Sequence, residues 1–207
     1  MKSSHIHYLP VLLAASLLGP ATARGGIEYT VTADTSSLIG LPGAFTLDFQ
    51  LTDGSGIGDG NNTVMLNDFA FGGGSWAGPA SATLIDNAFF VEFPQGFTPG
   101  TSLSFKVSMT TAVDAGGTPD LFSLAILDNG VEIPTLAPPG YDAFLLVNID
   151  SSNPLIQTFG TDPGRTTINI QTPSIRPVPE GGVSIVILAG VWACGLVWHR
   201  RQTRMAL

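Results

Sequence analysis

Gly43-Ala44-Phe45-Thr46-Leu47-Asp48-Phe49-Gln50-Leu51-Thr52 is the stretch that decides the architecture of this chain. Phe45, Leu47, Phe49 and Leu51 recur at every second position with Thr46, Asp48 and Gln50 between them. A period of two places one set on a buried face of a strand and the other on the opposite face. The same alternation marks Ile27 to Asp34, Thr63 to Phe71, Ala88 to Phe93, Leu103 to Met109 and Leu121 to Leu127, and further strands are expected at Phe144 to Ile149, Leu155 to Phe159 and Thr166 to Ile170.

Turn residues punctuate these runs at Gly40 to Gly43, Asp53 to Asn61, Gly72 to Pro79, Pro94 to Gly100, Ala115 to Pro119 and Pro138-Pro139-Gly140. Asp128-Asn129-Gly130 is the sharpest of them. Asn-Gly supports the positive φ angles of a two-residue hairpin turn, which would join Leu124 to Leu127 with Val131 to Ile133. About nine or ten short strands separated in this way imply two antiparallel sheets packed face to face. The expected fold is all-β, a jelly-roll-like antiparallel β-sandwich over residues 25–170; a closed barrel is the other architecture that this strand count admits.

Both ends of the chain differ from this body. Residues 1–23 carry Lys2, an apolar stretch from Leu9 to Leu18, and Ala21-Thr22-Ala23. That is the layout of a cleavable signal peptide, with a mature start at or near Arg24 and signal peptidase as its processing partner. At the other end, Val178-Pro179-Glu180-Gly181-Gly182 leads into an uncharged apolar run from Val183 to Trp198, closed by His199, Arg200, Arg201 and Arg204. As a helix the run measures roughly 24 Å against a hydrocarbon core of roughly 30 Å, so a transmembrane helix over 183–198 is expected to span only just. Arginines on its C-terminal side stay cytoplasmic by the positive-inside bias, which puts the body outside the inner membrane. The stretch 171–177, with Pro173 and Pro177, is expected as an extended linker that holds the motif away from the domain.

Export signal, β-rich body, Val-Pro-Glu motif, apolar helix and arginine cluster together resemble the PEP-CTERM proteins, the bacterial substrates of exosortases. Gly181 stands where the commonest motif has a second proline, so the tail over 178–204 is closer to the variant written Val-Pro-Asp-Ser-Gly or Val-Pro-Asp-Gly-Gly. The body resembles a family of small PEP-CTERM proteins of unassigned function, through Tyr29-Thr30-Val31, Asp34-Thr35-Ser36-Ser37-Leu38, Phe45-Thr46-Leu47-Asp48-Phe49-Gln50, and Asn67-Asp68-Phe69 before Gly72-Gly73-Gly74. The resemblance implies cleavage near Pro179-Glu180 by an exosortase-type membrane protease. It further implies a transient stay in the inner membrane, and a final place in the cell envelope, at the surface or in an exopolysaccharide matrix.

Charge and composition narrow what the body can do. Between Gly25 and Ile175 the cations are Lys106 and Arg165, against fifteen carboxylates from Glu28 to Asp162, a net of −13. Such a body repels nucleic acid and anionic membranes. His5, His7 and His199 all lie in the two end segments and Cys194 in the apolar tail, so the body has neither residue type. That removes Ser-His-Asp and Cys-His catalysis, the usual zinc and copper ligands, and any disulfide.

Two catalytic routes survive composition. Carboxylate pairs, such as Glu92 with Asp86 or Asp48 with Asp68, have the chemistry of a glycosidase, and Lys106 between Ser104 and Ser108 has that of a Ser-Lys dyad. Carboxylates spread one per loop are ordinarily solvating groups, and the body is expected to be non-catalytic. The loop from Asp53 to Asn62 sets oxygen ligands among glycines, and Asp53, Asp59 and Asn61 are the candidate calcium ligands there, although the spacing is not that of an EF-hand. A plain hairpin loop is the competing reading. Trp76, in a glycine-rich loop, and Tyr141, after Pro139-Gly140, are candidate sugar contacts; Trp76 would otherwise cover the end of the core.

Overall fold

A computed structural model describes residues 26–113, 118–149 and 154–179. The expected signal peptide, most of the sorting motif, the apolar run and the arginine cluster lie outside these residues. Among the described residues twelve strands follow in chain order: β1 (Ile27–Asp34), β2 (Phe45–Thr52), β3 (Thr63–Ala70), β4 (Ser75–Trp76), β5 (Ala82–Ile85), β6 (Phe90–Thr98), β7 (Ser102–Met109), β8 (Asp120–Asp128), β9 (Val131–Glu132), β10 (Leu145–Ile149), β11 (Leu155–Thr158) and β12 (Ser174–Pro177). One 3-10 turn, Ser36–Leu38, is the helical element among the described residues, and none there is a helix long and apolar enough to cross a membrane.

The strands form two antiparallel sheets. One runs β12-β1-β7-β3-β5; the other runs β11-β10-β8-β2-β6-β4, with β9 added to the far end of β8. The apolar positions of the alternating runs meet between them. Phe45, Leu47, Phe49 and Leu51 of β2, Leu103, Phe105, Val107 and Met109 of β7, and Phe122, Leu124 and Ile126 of β8 are all buried in one cluster. Phe49 sits at its centre, edge-on to Phe105 of the facing sheet at 5.4 Å and 83°, and stacked on Phe122 of its own sheet at 6.4 Å and 7°. Rings so arranged add their quadrupole attraction to the apolar area removed from water.

The Asn129-Gly130 turn forms as the sequence implies. Both residues have positive φ, 51° and 81°, and Asp128 pairs with Val131 across them. Elsewhere the strands depart from the expected boundaries. Pro94 to Gly100 is not a break: β6 runs through Pro94 to Thr98, with Pro94 opposite Asp48 of β2. Because β4 covers β6 only at Phe97 and Thr98, β6 is an edge at Pro94, where the missing N–H has no partner to deprive. Thr166 to Ile170, expected as a strand, is irregular; Ile170 is nonetheless buried and exchanges hydrogen bonds with Thr161.

The expected linker is the largest departure. Ser174–Pro177 pairs with β1 as β12, matching Tyr29 with Pro177 and Thr32 with Ser174, so these residues belong to the sheet and do not hold the motif at a distance. The N–H of Val178 also donates to the carbonyl of Glu28.

Candidate functional site

At one end of the molecule each apolar row terminates in a polar residue. Asp53 continues the inward phase of Leu47, Phe49 and Leu51, Asn62 that of Leu66 and Val64, Asp86 that of Ala82 and Leu84, and Asp120 that of Ile126, Leu124 and Phe122. All four are buried, with exposures of 1% or less. They come from both sheets, so two β-layers are joined by polar groups where their apolar cores stop.

Asp53 organises the loop that follows it. Its Oδ1 accepts from the N–H and hydroxyl of Ser55, each at 2.7 Å, and from Gly56 N–H, while Oδ2 accepts from Gly58 N–H. Burial pushes this carboxyl up, but the donors outweigh it and hold it below the ordinary range. Gly56 and Gly58 have φ near 70–77°, the left-handed conformation that lets the chain curl around one side chain. Asp59 accepts from both the N–H and the side-chain amide of Asn61. Of the three candidate calcium ligands, Asp53 thus has its oxygens turned to the loop's own donors. Among the described residues no group of three or more His, Cys, Asp or Glu is placed to hold a metal ion.

Asn62, Asp86 and Asp120 form the inner part of the cluster, which spacing along the chain does not suggest. Asp120 accepts from Gly54 N–H and from the Asn62 amide, both at 2.7 Å; Asp86 Oδ2 accepts from Asn62 N–H at 3.0 Å. The Asn62 amide oxygen in turn accepts from Ala112 N–H at 2.8 Å and from the Thr110 hydroxyl. Asp86 Oδ1 has no donor. Burial, the neighbouring Asp120 carboxyl and the charge of Asp59 push Asp86 up to about 7, against the opposing hydrogen bond from Asn62. The signal available for this site is the inward phase of the four polar residues, with Asp120 at the end of its strand and Asp53, Asn62 and Asp86 one step beyond theirs.

The other carboxylates pair differently from the sequence expectation. Asp86 faces Asp120, not Glu92; Glu92 lies beside Asp48, and burial followed by the Asp48 charge pushes it up. Glu132 is raised by burial, then by Asp142 and Asp48. Asp48 is buried, with Gln50 donating to its Oδ2 at 2.5 Å and with no donor to Oδ1. Asp68 lies on the other sheet, 2.7 Å from Lys106 Nζ. That hydrogen bond and charge raise Lys106, with Glu28 4.0 Å away, so its amine stays protonated and is no base for Ser104 or Ser108.

Trp76 stacks on Phe69 at 4.3 Å and on Phe71 at 5.6 Å, and its indole N–H donates to Pro79 O at 3.1 Å. It is half-buried and packs against the core, yet it also lines a groove of about 420 Å³ with Asp68, Phe69, Phe71, Gly78 and Pro79. Tyr141 is exposed and is not among the residues that line this groove. Of the sorting residues, Val178 and Pro179 are described; Glu180, Gly181, Gly182, Arg200, Arg201 and Arg204 lie outside the described residues. No protein-family model, curated protein or solved structure matches this chain.

Proposed function

We propose that this chain is an exported protein, handled by signal peptidase and an exosortase-type membrane protease, whose jelly-roll-like β-sandwich has a structural or adhesive role in the cell envelope or extracellular matrix. The inner membrane is then a transient station. The observation that carries the reading is the position of the Val-Pro-Glu motif. Val178 is hydrogen-bonded to Glu28 just beyond β12, so the motif begins where the described strands end and cleavage after it leaves every one of those strands in place. A body of charge −13 without His or Cys fits a scaffold better than a catalyst and makes nucleic acid a poor partner. The test is to tag the protein, fractionate the cells and map both mature termini by mass spectrometry, with and without the Arg200, Arg201 and Arg204 cluster neutralised.

The groove beside Trp76 favours a second reading, a carbohydrate-binding module for exopolysaccharide. Three aromatic rings and the Asp68 carboxylate give it the mixture of apolar wall and polar rim that sugar rings take. A polysaccharide pull-down with Trp76→Ala and Trp76→Phe separates the two readings, because only a stacking site loses binding with the first and keeps part of it with the second.

A further inference from the structure

We infer that Asp86 and Asp120 form a proton-operated latch between the two sheets, closed when Asp86 is protonated and donates to Asp120, and loosened when that proton leaves.

Three observations carry this. First, the two carboxyl groups are buried, at 0% and 1% exposure, and Asp86 Oδ1 has no donor from the protein. Two buried anions side by side are strongly unfavourable, so the pair needs one positive charge between its oxygens. Second, among the described residues the surroundings supply none. The loop after β2 brings Asp53 and Asp59, the start of β3 brings neutral Asn62, the start of β8 brings Asp120 itself, and the residues after β7 bring Thr110 and Ala112. Asp114 lies outside the described residues. Lys106 is held by Asp68 and Arg165 by Asp142, and Arg176 is on β12, at the opposite edge of the five-stranded sheet from β5. With no third ligand of the kind a metal needs among the described residues, a proton is the cation that fits.

Third, the pair holds parts that would otherwise be separate. Asp120 takes the Gly54 N–H and the Asn62 amide, Asp86 takes the Asn62 N–H, and Gly60 N–H donates to the Asp86 carbonyl. Loop 53–62 is therefore clasped between the turn after β5 and the start of β8. The packing is close: a Cβ on Gly54 would lie 2.5 Å from the carbonyls of Thr118 and Pro119.

The direction of the pH effect follows from linkage. An aspartate in the unfolded chain releases its proton near 3.8, whereas folded Asp86 keeps it to about 7. Across that window the folded state holds a proton that the unfolded state has lost, so stability is greatest on the acid side and declines as pH rises, then levels off. One proton changes the unfolding constant by at most about tenfold per pH unit.

Asp86→Asn is the informative variant, because its amide oxygen still accepts from Asn62 N–H while its NH₂ donates permanently to Asp120. Denaturant unfolding of the wild type and this variant is compared from about pH 4 to about pH 8. The expected result is near equality at the acid end and an unfolding constant about a hundredfold or more smaller for the variant at the alkaline end. Carbon-13 titration of the Asp86 carboxyl in the unsubstituted protein is the second measurement, with a midpoint near neutrality expected. Parallel pH profiles for the two proteins, or an Asp86 carboxyl that titrates in the ordinary acid range, overturns the latch. Stabilisation of the wild type but not of Asp86→Asn by calcium chloride at alkaline pH overturns it as well, since the pair would then be a metal site.

Discussion

The N–H of Val178 donates to the carbonyl of Glu28 at 2.8 Å, so the first residue of the Val-Pro-Glu motif is tied to the sheet through β1. A protease that grips an extended strand must therefore work from the residues just beyond this bond or fray it. Truncation after Pro179 is expected to leave stability unchanged. Truncation after Gln171 removes β12, exposes the edge of β1 and costs roughly 2–4 kcal/mol from several lost ladder bonds at about 1 kcal/mol each. Urea unfolding of the two truncated bodies and amide exchange of Thr30, opposite Arg176, measure the difference.

Phe49 is the residue on which the two layers converge. It is fully buried and touches rings from both sheets, so Phe49→Ala opens a cavity that a rigid double layer cannot close. The expected cost is about 3–5 kcal/mol. Phe49→Leu should cost much less, and a calorimetric Tm series of the three proteins checks the order.

Asp53 gives the opposite pH signature from Asp86. Its carboxyl is held below the ordinary value, so it contributes stability above pH 3.8 that is lost as pH falls through its folded pKa. Asp53→Asn exchanges acceptor oxygens for a group that cannot receive all of the Ser55, Gly56 and Gly58 N–H donors, at a cost of roughly 1–3 kcal/mol near neutral pH. That cost should shrink in acid, and denaturation midpoints of wild type and variant at several pH values show whether it does.

Trp76 separates packing from recognition. Stacked on Phe69 and Phe71 but half-buried, it should lower stability by roughly 2–3 kcal/mol when changed to Ala, less than a fully buried indole. Unfolding monitored by far-ultraviolet circular dichroism, run beside the polysaccharide pull-down, keeps loss of fold apart from loss of binding.

Most of the fold is legible in the sequence because period two survives where one strand face is buried, as in β1, β2, β3 and β7; β8 and β10 are buried on both faces and read as apolar runs, and the Asn129-Gly130 turn is read from its residue types. The expectations that fail do so for local reasons. Pro94 sits on an edge stretch of β6 that loses nothing by lacking an N–H, and β5 is four residues long, too short to stand out between turns. β12 ends on Pro177 and follows Pro173, the punctuation of a linker, and only its pairing with β1 makes it a strand. Among site residues, the loop around Asp53 was legible from its glycines. Its partners Asp86 and Asp120 were not, because contacts across two sheets leave no mark in linear spacing. The carboxylate pairs suggested by sequence, Glu92 with Asp86 and Asp48 with Asp68, give way to Asp86 with Asp120 and Asp48 with Glu92 for the same reason.

Mass spectrometry of both termini of the tagged protein, taken from each cell fraction, tests the central claim most directly. The account predicts a product outside the inner membrane that begins at or near Arg24 and ends near Pro179-Glu180, with an uncut form accumulating when Arg200, Arg201 and Arg204 are neutralised. A full-length, uncut chain dissolved in the cytosol would contradict it.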